Sequence, residues 1–267
     1  MAEKVKLREK SSKLGPAARV MRALSQRRAS IVANSLDTRD SPETLKAKGI
    51  LRPEPIFGNI LNQLPHDEEA GVPEFIVRSI RKVETMMDTE GIYRIPGKIF
   101  SFNDAVTTQK YLSKIGNAAE VQRLRVAIND NKYDMLEKTK DVTLVASTLK
   151  LFFRELPQPI INEDLKNDLY SLSQAKPVGN QMHQAVKDQT NMVEYCVLGY
   201  LCRHLSKVAQ EPRNKMTITN LATCFGQTLM GGSGNSEPRR PESMLVQMVE
   251  TNAVIELLIS HVDQIFL

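Results

Sequence analysis

The sequence predicts an all-α protein, and three observations support that class. Apolar residues recur at the three- and four-residue spacing of helices over most of the chain after residue 54. Segments with the alternating pattern of a β-strand are few. Apolar residues make up 41% and charged residues 25% of the 267 positions, a balance that is ordinary for folded globular proteins. The length suits one large domain with an appendage.

The positive charge is concentrated at the N-terminus. Lysine and arginine total 36 against 31 acidic residues, which gives a net charge of +5. Residues 1–50 hold 12 basic and 5 acidic residues, so this segment carries +7 and the remainder carries −2. We therefore predict a basic, flexible arm or linker over 1–50 and a folded domain over 51–267. The near-neutral domain argues against nucleic acid as a partner.

The arm over 1–50 has more than one interpretation. The simplest is a solvated tail. The first alternative is a short basic helix that contacts a protein partner or an anionic membrane surface, and the second is a segment that binds nucleic acid. Arg27 and Arg28 precede Ser30 in a pattern that resembles the substrates of basophilic kinases. A phosphate on Ser30 would offset about two units of positive charge there. Ser30 is therefore a candidate phosphorylation site whose phosphate would weaken membrane contact; the alternative is a chance match, because such short patterns recur often.

The helical pattern predicts three helices in the first half of the domain. The first spans 73–87, where Pro73 suits a first helical turn and apolar residues follow at helical spacing. A loop over 88–97 ends this helix. The next two helices are predicted over 101–115 and 117–129.

The second half of the domain is predicted to continue as helices. Pro157 and Pro159 end the first of these, because proline cannot continue a helix. The segment 180–209 is either one long helix or two, and a glycine-rich loop at 231–234 precedes the last helix. The predicted ranges are 141–155, 162–174, 180–209, 217–229 and 241–265.

The sequence lacks the motifs of a self-contained hydrolase. It has no G-x-x-x-x-G-K-[ST] phosphate loop and no G-x-S-x-G nucleophile turn. Cys202 and His204 favour a buried thiol over a zinc site, because residues two apart point to different sides of a helix. An odd number of cysteines, a charged N-terminus and the lack of an apolar run of about 20 residues favour a reduced, cytoplasmic protein.

Two segments place basic side chains at fixed positions, where they could contact a negatively charged group. The segment 90–97 (EGIYRIPG) places Arg94 in a turn bounded by glycines, between apolar neighbours that can anchor the loop. The segment 149–157 (LKLFFRELP) places Lys150 and Arg154 four residues apart, and hence on one helical face. Taken alone, either segment is most simply a solvated basic group.

Together with a third segment, these residues resemble one known family. The segment 90–97 is similar to the G-[IL]-Y-R-x-x-G arginine loop of Rho GTPase-activating protein (RhoGAP) domains, and 149–157 is similar to their L-K-x-[FY]-[FL]-R-E-L-P helix. The segment 214–229 resembles the N-K/L-M-x-x-x-N-L-A/G-x-x-F-G-P-T-L block of that family. The three segments occur in the family's order, and the resemblance covers about residues 55–267.

The resemblance implies a multi-helix bundle that binds a GTP-loaded Rho-family GTPase such as Rho or Rac. The partner would hold GTP and Mg²⁺, so no cofactor of this chain's own is expected. Arg94 resembles the arginine finger that completes catalysis in trans. Arg154 resembles the residue that braces the finger loop, and Lys150 and Asn220 resemble residues facing the switch regions of the GTPase. Asn214 matches a further motif position.

The sequence departs from the family pattern at two positions. Gln227 replaces a common proline after Phe-Gly and frees the backbone φ at what we expect to be a turn. Pro96 replaces a common serine two residues after Arg94 and is expected to stiffen the loop. Two alternatives to a GTPase activator stay open at this stage: a catalytically silent relative that binds a GTPase or another signalling partner, and an unrelated helical adaptor recruited to membranes by its arm.

Overall fold

A computed structural model describes four parts of the chain: 54–94, 108–175, 179–231 and 241–267, with side chains from residue 119 in the second part and from 245 in the last. Glu54–Leu267 form one compact unit. The predicted arm over 1–50, with Ser30, lies outside these ranges, as do Pro96 and most of the loop predicted at 231–234. The domain boundary after residue 50 therefore stays a prediction.

The described residues form α-helices and short 3-10 helices without a β-strand, which confirms the all-α class. No helix in these ranges is long and apolar enough to cross a membrane. The 3-10 helices are Leu61–Gln63 and Pro212–Asn214. The α-helices are α1 Glu74–Glu84, α2 Thr108–Asn129, α3 Asp134–Lys138, α4 Val142–Arg154, α5 Glu163–Gln174, α6 Gly179–Gln189, α7 Met192–Gln210, α8 Ile218–Leu229, α9 Pro241–Ser260 and α10 Val262–Ile265.

Helix α4 is the central element around which the site is built. It packs against α1, α2 and α8. Its N-terminus is fixed by Asp141, whose carboxylate accepts hydrogen bonds from the backbone N–H groups of Thr143 and Leu144. Phe152 on its buried face lies 5.2 Å from Phe75 of α1, measured between ring centroids. This aromatic contact holds α4 against the helix from which the arginine loop departs.

Two local predictions were wrong, namely a helix break near Gly116 and a turn at Gln227. The helices predicted at 101–115 and 117–129 are joined in one helix, α2, which passes through Gly116 without a break. A glycine inside a helix costs only about 1 kcal/mol relative to alanine, so it does not by itself end one. Gln227 lies inside α8, whereas we expected a turn at that position.

Side-chain caps and local packing divide other segments. The segment 180–209, predicted as one helix or two, forms the two helices α6 and α7. They are separate because the side chain of Asn191 caps the start of α7 and Glu194 completes a capping box. The last predicted helix, 241–265, is interrupted at His261 and continues as the short α10. The short helix α3 and the 3-10 helix Pro212–Asn214 were not predicted.

Helices α8 and α9 approach closely at Gly226. A Cβ atom added at Gly226 would lie 2.5 Å from Cγ2 of Thr251. The absence of a side chain at this position therefore sets the distance between the two helices, and it holds the helix that carries Asn220 in place.

We predict that Gly226→Ala lowers the free energy of unfolding. Overpacking costs about 1–3 kcal/mol, which exceeds the gain of about 1 kcal/mol in helix propensity. Urea denaturation of the wild type, G226A, T251S and G226A/T251S measures the effect. Thr251→Ser removes the clashing methyl group, so the double variant should be more stable than G226A. A G226A chain as stable as the wild type would contradict this packing.

Candidate functional site

The loop after α1 makes a tight turn that ends at Arg94. Gly91 and Tyr93 both have left-handed backbone conformations, with φ of 70° and 68°. The backbone N–H of Arg94 donates to the carbonyl of Gly91 at 2.8 Å. A left-handed conformation is unfavourable for an aromatic residue, at a cost of about 1–2 kcal/mol. The surroundings must therefore hold Tyr93 in place.

Asn214 fastens the base of this loop. Its side chain is fully buried, and its amide nitrogen donates to the carbonyls of Met87 at 3.0 Å and Val208 at 2.8 Å. Its amide oxygen accepts from the N–H of Met216 at 2.8 Å. Its backbone carbonyl accepts from the N–H of Gly91 at 2.8 Å. A buried Asn214 supports the loop and is out of reach of a partner.

The side chain of Tyr93 anchors the turn from within the core. Its ring lies 4.9 Å from that of Phe225 in α8. Its hydroxyl lies 2.8 Å from Nε2 of His204 in α7, and Nδ1 of His204 lies 3.1 Å from a carboxylate oxygen of Glu84. The ammonium group of Lys207 also pairs with this carboxylate, at 3.2 Å. Tyr93, His204 and Glu84 thus join the loop to α7 and α1.

Burial and hydrogen bonding set the ionisation of this group. Burial lowers the pKa of His204, although Glu84 opposes the shift. The hydrogen bond from His204, followed by the contribution of Lys207, lowers the pKa of Glu84 in spite of its partial burial. Burial also raises the pKa of the Tyr93 phenol. At neutral pH the group therefore holds a phenol, a neutral imidazole and a carboxylate.

Arg94 is exposed at the end of the turn. Its Nη2 donates to the backbone carbonyl of Lys215 at 3.0 Å. The same carbonyl accepts a longer hydrogen bond, 3.4 Å, from the side-chain amide of Asn220. Lys215 has a left-handed φ of 57°, and its ammonium group pairs with Glu90 at 2.8 Å. That pairing, with a contribution from Arg94, lowers the pKa of Glu90.

Lys150 contacts the loop from α4. Its ammonium group donates to the backbone carbonyl of Tyr93 at 2.6 Å, so the peptide bond next to Arg94 is held from this side. Burial lowers the pKa of Lys150, and the positive charge of Arg154 acts in the same direction. The Cys224 thiol belongs to the same neighbourhood, because Lys150 and Arg94 partly offset the rise in its pKa that burial causes. The contact with the loop is the one that the sequence resemblance assigned to Arg154.

Arg154 lies in the last turn of α4 with an exposed side chain. Within the part of the chain that the structure describes, its guanidinium donates no hydrogen bond. The site residues predicted from sequence therefore fall into two groups. Arg94, Lys150, Asn214 and Asn220 converge on the backbone of the loop and of Lys215, whereas Arg154 lies beside them.

Comparisons with known proteins identify the family. Residues 103–233 match the family model of the RhoGAP domain. Rho GTPase-activating protein 12 of Macaca fascicularis is 30% identical over 238 residues, which are 86% of this chain and 25% of that protein. The crystal structure of human Rho GTPase activating protein 15 superposes with a TM-score of 0.62 at 28% identity, covering 86% of this chain and 100% of that one. This chain belongs to the RhoGAP domain family.

The matched region is only part of each of these relatives. Rho GTPase-activating protein 27 of Mus musculus is also 30% identical, over 243 residues, which are 86% of this chain and 24% of that protein. The chain thus spans about a quarter of the length of these two curated relatives. The range matched by the family model contains Lys150, Arg154, Asn214 and Asn220 and begins after Arg94.

Several residues that shape the RhoGAP site were missed by sequence reasoning. Lys215 lies in the motif segment 214–229 but received no role there, Glu84 carried no signal, and His204 was considered only beside Cys202. Cys202 is buried, and burial raises the pKa of its thiol to about 12, as suits an apolar environment. Among the described residues, no group of three metal-ligating side chains occurs.

The lowered pKa of His204 predicts a pH-dependent stability. The unfolded chain binds a proton on this imidazole below its ordinary pKa of 6.5, whereas the folded RhoGAP domain keeps it neutral to lower pH. The unfolding free energy should therefore fall as the pH drops below about 6.5, through the folded pKa, and His204 should add no slope above that pH.

Urea titrations of the wild type and His204→Gln between about pH 5 and 7.5 test this sign. The two chains share the other three histidines, so the difference between their slopes reports His204 together with the Glu84 carboxylate that it bonds. We expect the variant to lose stability less steeply on acidification. Equal slopes would show that His204 titrates alike in the folded and unfolded states.

Proposed function

We propose that this RhoGAP domain accelerates GTP hydrolysis by a Rho-family GTPase, such as Rho or Rac, with Arg94 supplied in trans. The observation that carries the proposal is the combination of an exposed guanidinium with a tightly fixed backbone. Asn214, Tyr93 and Lys150 hold the turn from three directions, while the Arg94 side chain reaches solvent. Such an arrangement suits a group that must enter another protein's active site.

The chemistry requires a positive charge where phosphoryl transfer develops negative charge. The partner GTPase would hold GTP and Mg²⁺, and this sequence has no phosphate loop of its own. Arginine suits the task because its planar, permanently charged fork can donate to phosphate oxygens and a carbonyl at once. A finger of this kind contributes about 10³–10⁵ in kcat, or about 4–7 kcal/mol of the barrier.

The resting position of Arg94 is compatible with this movement. Its guanidinium donates to the Lys215 carbonyl at an exposed position. Breaking this exposed hydrogen bond costs little free energy, because the net contribution of such a bond is only about 0.5–1.5 kcal/mol. We propose that Arg94 exchanges the Lys215 carbonyl for the γ-phosphoryl group when the GTPase binds.

The neighbouring residues would share the remaining work. Lys150 is proposed to fix the loop through the Tyr93 carbonyl, and Asn214 to fix it from below. Asn220 is half-buried beside Arg94, which suits contact with a switch region. Arg154 is proposed to contact the acidic or phosphate-bearing surface of the GTPase, since its exposed side chain faces solvent rather than the loop.

The cellular setting belongs to the same proposal. A Rho-family partner would place this domain in the cytoplasm, at membranes where such GTPases act. The basic residues of the arm over 1–50 would contribute about 1 kcal/mol each near an anionic surface, and phosphate on Ser30 would reduce that attraction. The arm and Ser30 lie outside the described residues, so the membrane contact and the phosphorylation stay predictions.

Single-turnover GTP hydrolysis tests the function. A panel of Rho-family and Ras-family GTPases would be loaded with GTP and mixed with the wild-type chain or Arg94→Ala. We expect strong stimulation of at least one Rho-family member and a loss of about 10³–10⁵-fold in the maximal rate with R94A, with binding largely kept. Arg81→Ala, an exposed arginine of α1, serves as the matched control. Binding without stimulation by the wild type would favour the silent scaffold instead.

The position of the Lys150 ammonium generates a second prediction. The family resemblance implies that loss of Lys150 or Asn220 mostly weakens complex formation. Because Lys150 bonds the backbone next to Arg94, we expect Lys150→Met to lower the maximal rate as well, by about tenfold or more. Asn220→Ala should mainly raise the concentration of the chain that gives half the maximal rate. Equal effects of both variants on binding alone would contradict a loop-fixing role for Lys150.

A further inference from the structure

The residue before Arg94 has a backbone conformation that needs an explanation. Tyr93 is one of three non-glycine residues with positive φ among those described, the others being Asn131 and Lys215. Aromatic side chains seldom adopt this conformation, and it persists only where the surroundings impose it. The conformation of Tyr93 sets the direction in which the next residue, Arg94, leaves the turn.

The phenol of Tyr93 begins a line of hydrogen bonds that returns to the start of the loop. Tyr93 Oη lies 2.8 Å from Nε2 of His204, and Nδ1 of His204 lies 3.1 Å from Oε1 of Glu84. Glu84 is the last residue of α1, where the loop departs. The line therefore joins the beginning of the loop to the turn at Tyr93 through the helix α7.

The chemistry of the three groups fixes the direction of their protons. A carboxylate only accepts hydrogen bonds, so Nδ1 of His204 must carry the proton that Glu84 accepts. In a neutral imidazole Nε2 is then the acceptor, and the Tyr93 hydroxyl is the donor. Each group thus has one arrangement that satisfies it, and the ring of Tyr93 is held at one distance and in one direction.

We infer that Tyr93, His204 and Glu84 form a positioning relay that fixes the backbone at Arg94 for entry into the GTPase active site. This inference rests on the proposed function. His204 and Glu84 are positioning residues, because they act on Arg94 only through Tyr93. The relay holds the side chain of Tyr93, while Lys150 holds its carbonyl at 2.6 Å. Two independent interactions therefore converge on the residue that precedes Arg94.

Packing alone does not require these polar groups. The Tyr93 ring packs edge-to-face against Phe225, a contact that a phenylalanine would make equally well. Burying a hydroxyl and an imidazole costs free energy unless both are paired. Their presence inside the core, aligned with Glu84, is accounted for by the orientation they impose on the loop.

The test uses variants that remove or keep single links of the relay. Tyr93→Phe removes the donor and keeps the ring. His204→Asn keeps a donor near Nδ1 for Glu84 but loses the acceptor for Tyr93, whereas His204→Gln keeps an acceptor near Nε2. Tyr195→Phe is the matched control, because Tyr195 lies in α7, as His204 does, and donates its hydroxyl hydrogen bond elsewhere, to the carbonyl of Ile265 at 3.1 Å.

Two measurements are made on each full-length variant. Hydrogen exchange of the amides in 88–94 reports the loop in the free chain, where Gly91 and Arg94 have bonded N–H groups. Single-turnover hydrolysis by the GTPase that responds best reports the maximal rate and the half-saturating concentration of the chain. Thermal unfolding confirms that each variant is folded at the temperature used.

We expect Y93F and H204N to speed amide exchange in 88–94 and to lower the maximal rate by about two- to tenfold, with the half-saturating concentration nearly unchanged. H204Q should recover part of the rate, and Y93F should add nothing in the H204N background. A general loss of stability would instead leave the maximal rate of the folded chain unchanged.

Failure of the relay and failure of the proposed function give different results. If Y93F matches Y195F in both exchange and maximal rate, the relay is overturned. If the wild type stimulates no GTPase, the proposed function is overturned, and exchange in 88–94 still decides whether Tyr93, His204 and Glu84 fix the loop. Equal rates of amide exchange in 88–94 for Y93F and the wild type would then overturn the inferred relay as well.

Discussion

The buried amide of Asn214 is the constraint on which the site depends. It bonds backbone groups of the loop after α1, of the end of α7 and of the turn before α8. Such groups lie outside regular hydrogen-bonding ladders, and a buried one left unpaired costs about 1–3 kcal/mol. One side chain therefore brings three irregular segments to fixed positions, and the turns that carry Arg94 and Lys215 are built on them.

Backbone carbonyls, rather than carboxylates, hold the two central cations of the site. Lys150 donates to the Tyr93 carbonyl and Arg94 donates to the Lys215 carbonyl. A carbonyl satisfies a cationic donor without cancelling its charge, so the positive charge of both groups is kept. The nearby Glu90 is paired with Lys215. The site thus presents net positive charge on a rigid support, which is the electrostatic requirement of the proposed encounter with a nucleotide-bearing partner.

Sequence periodicity was sufficient for the existence of most helices and insufficient for the joints between them. Helices α1, α4, α5 and α8 begin and end within a few residues of the predicted positions. Periodicity did not predict these junctions, and the reason differs from one junction to the other. Helix α2 continues through Gly116 because one glycine costs little free energy. Helix α7 starts just after Asn191, because the side chains of Asn191 and Glu194 satisfy the free backbone groups of a helix terminus. Neither outcome follows from the apolar pattern.

The sequence by itself determined the helical class and the three motif segments in which Arg94, Lys150 and Asn220 occur. Those features are local, because each helix displays its buried face along a few turns of chain. Only the tertiary structure decided what these side chains touch. Tyr93 meets His204 across 111 positions of sequence, and Lys150 meets the Tyr93 carbonyl across 57. Contacts at such separations depend on how helices pack and on the left-handed turn at Tyr93, and no local pattern encodes either.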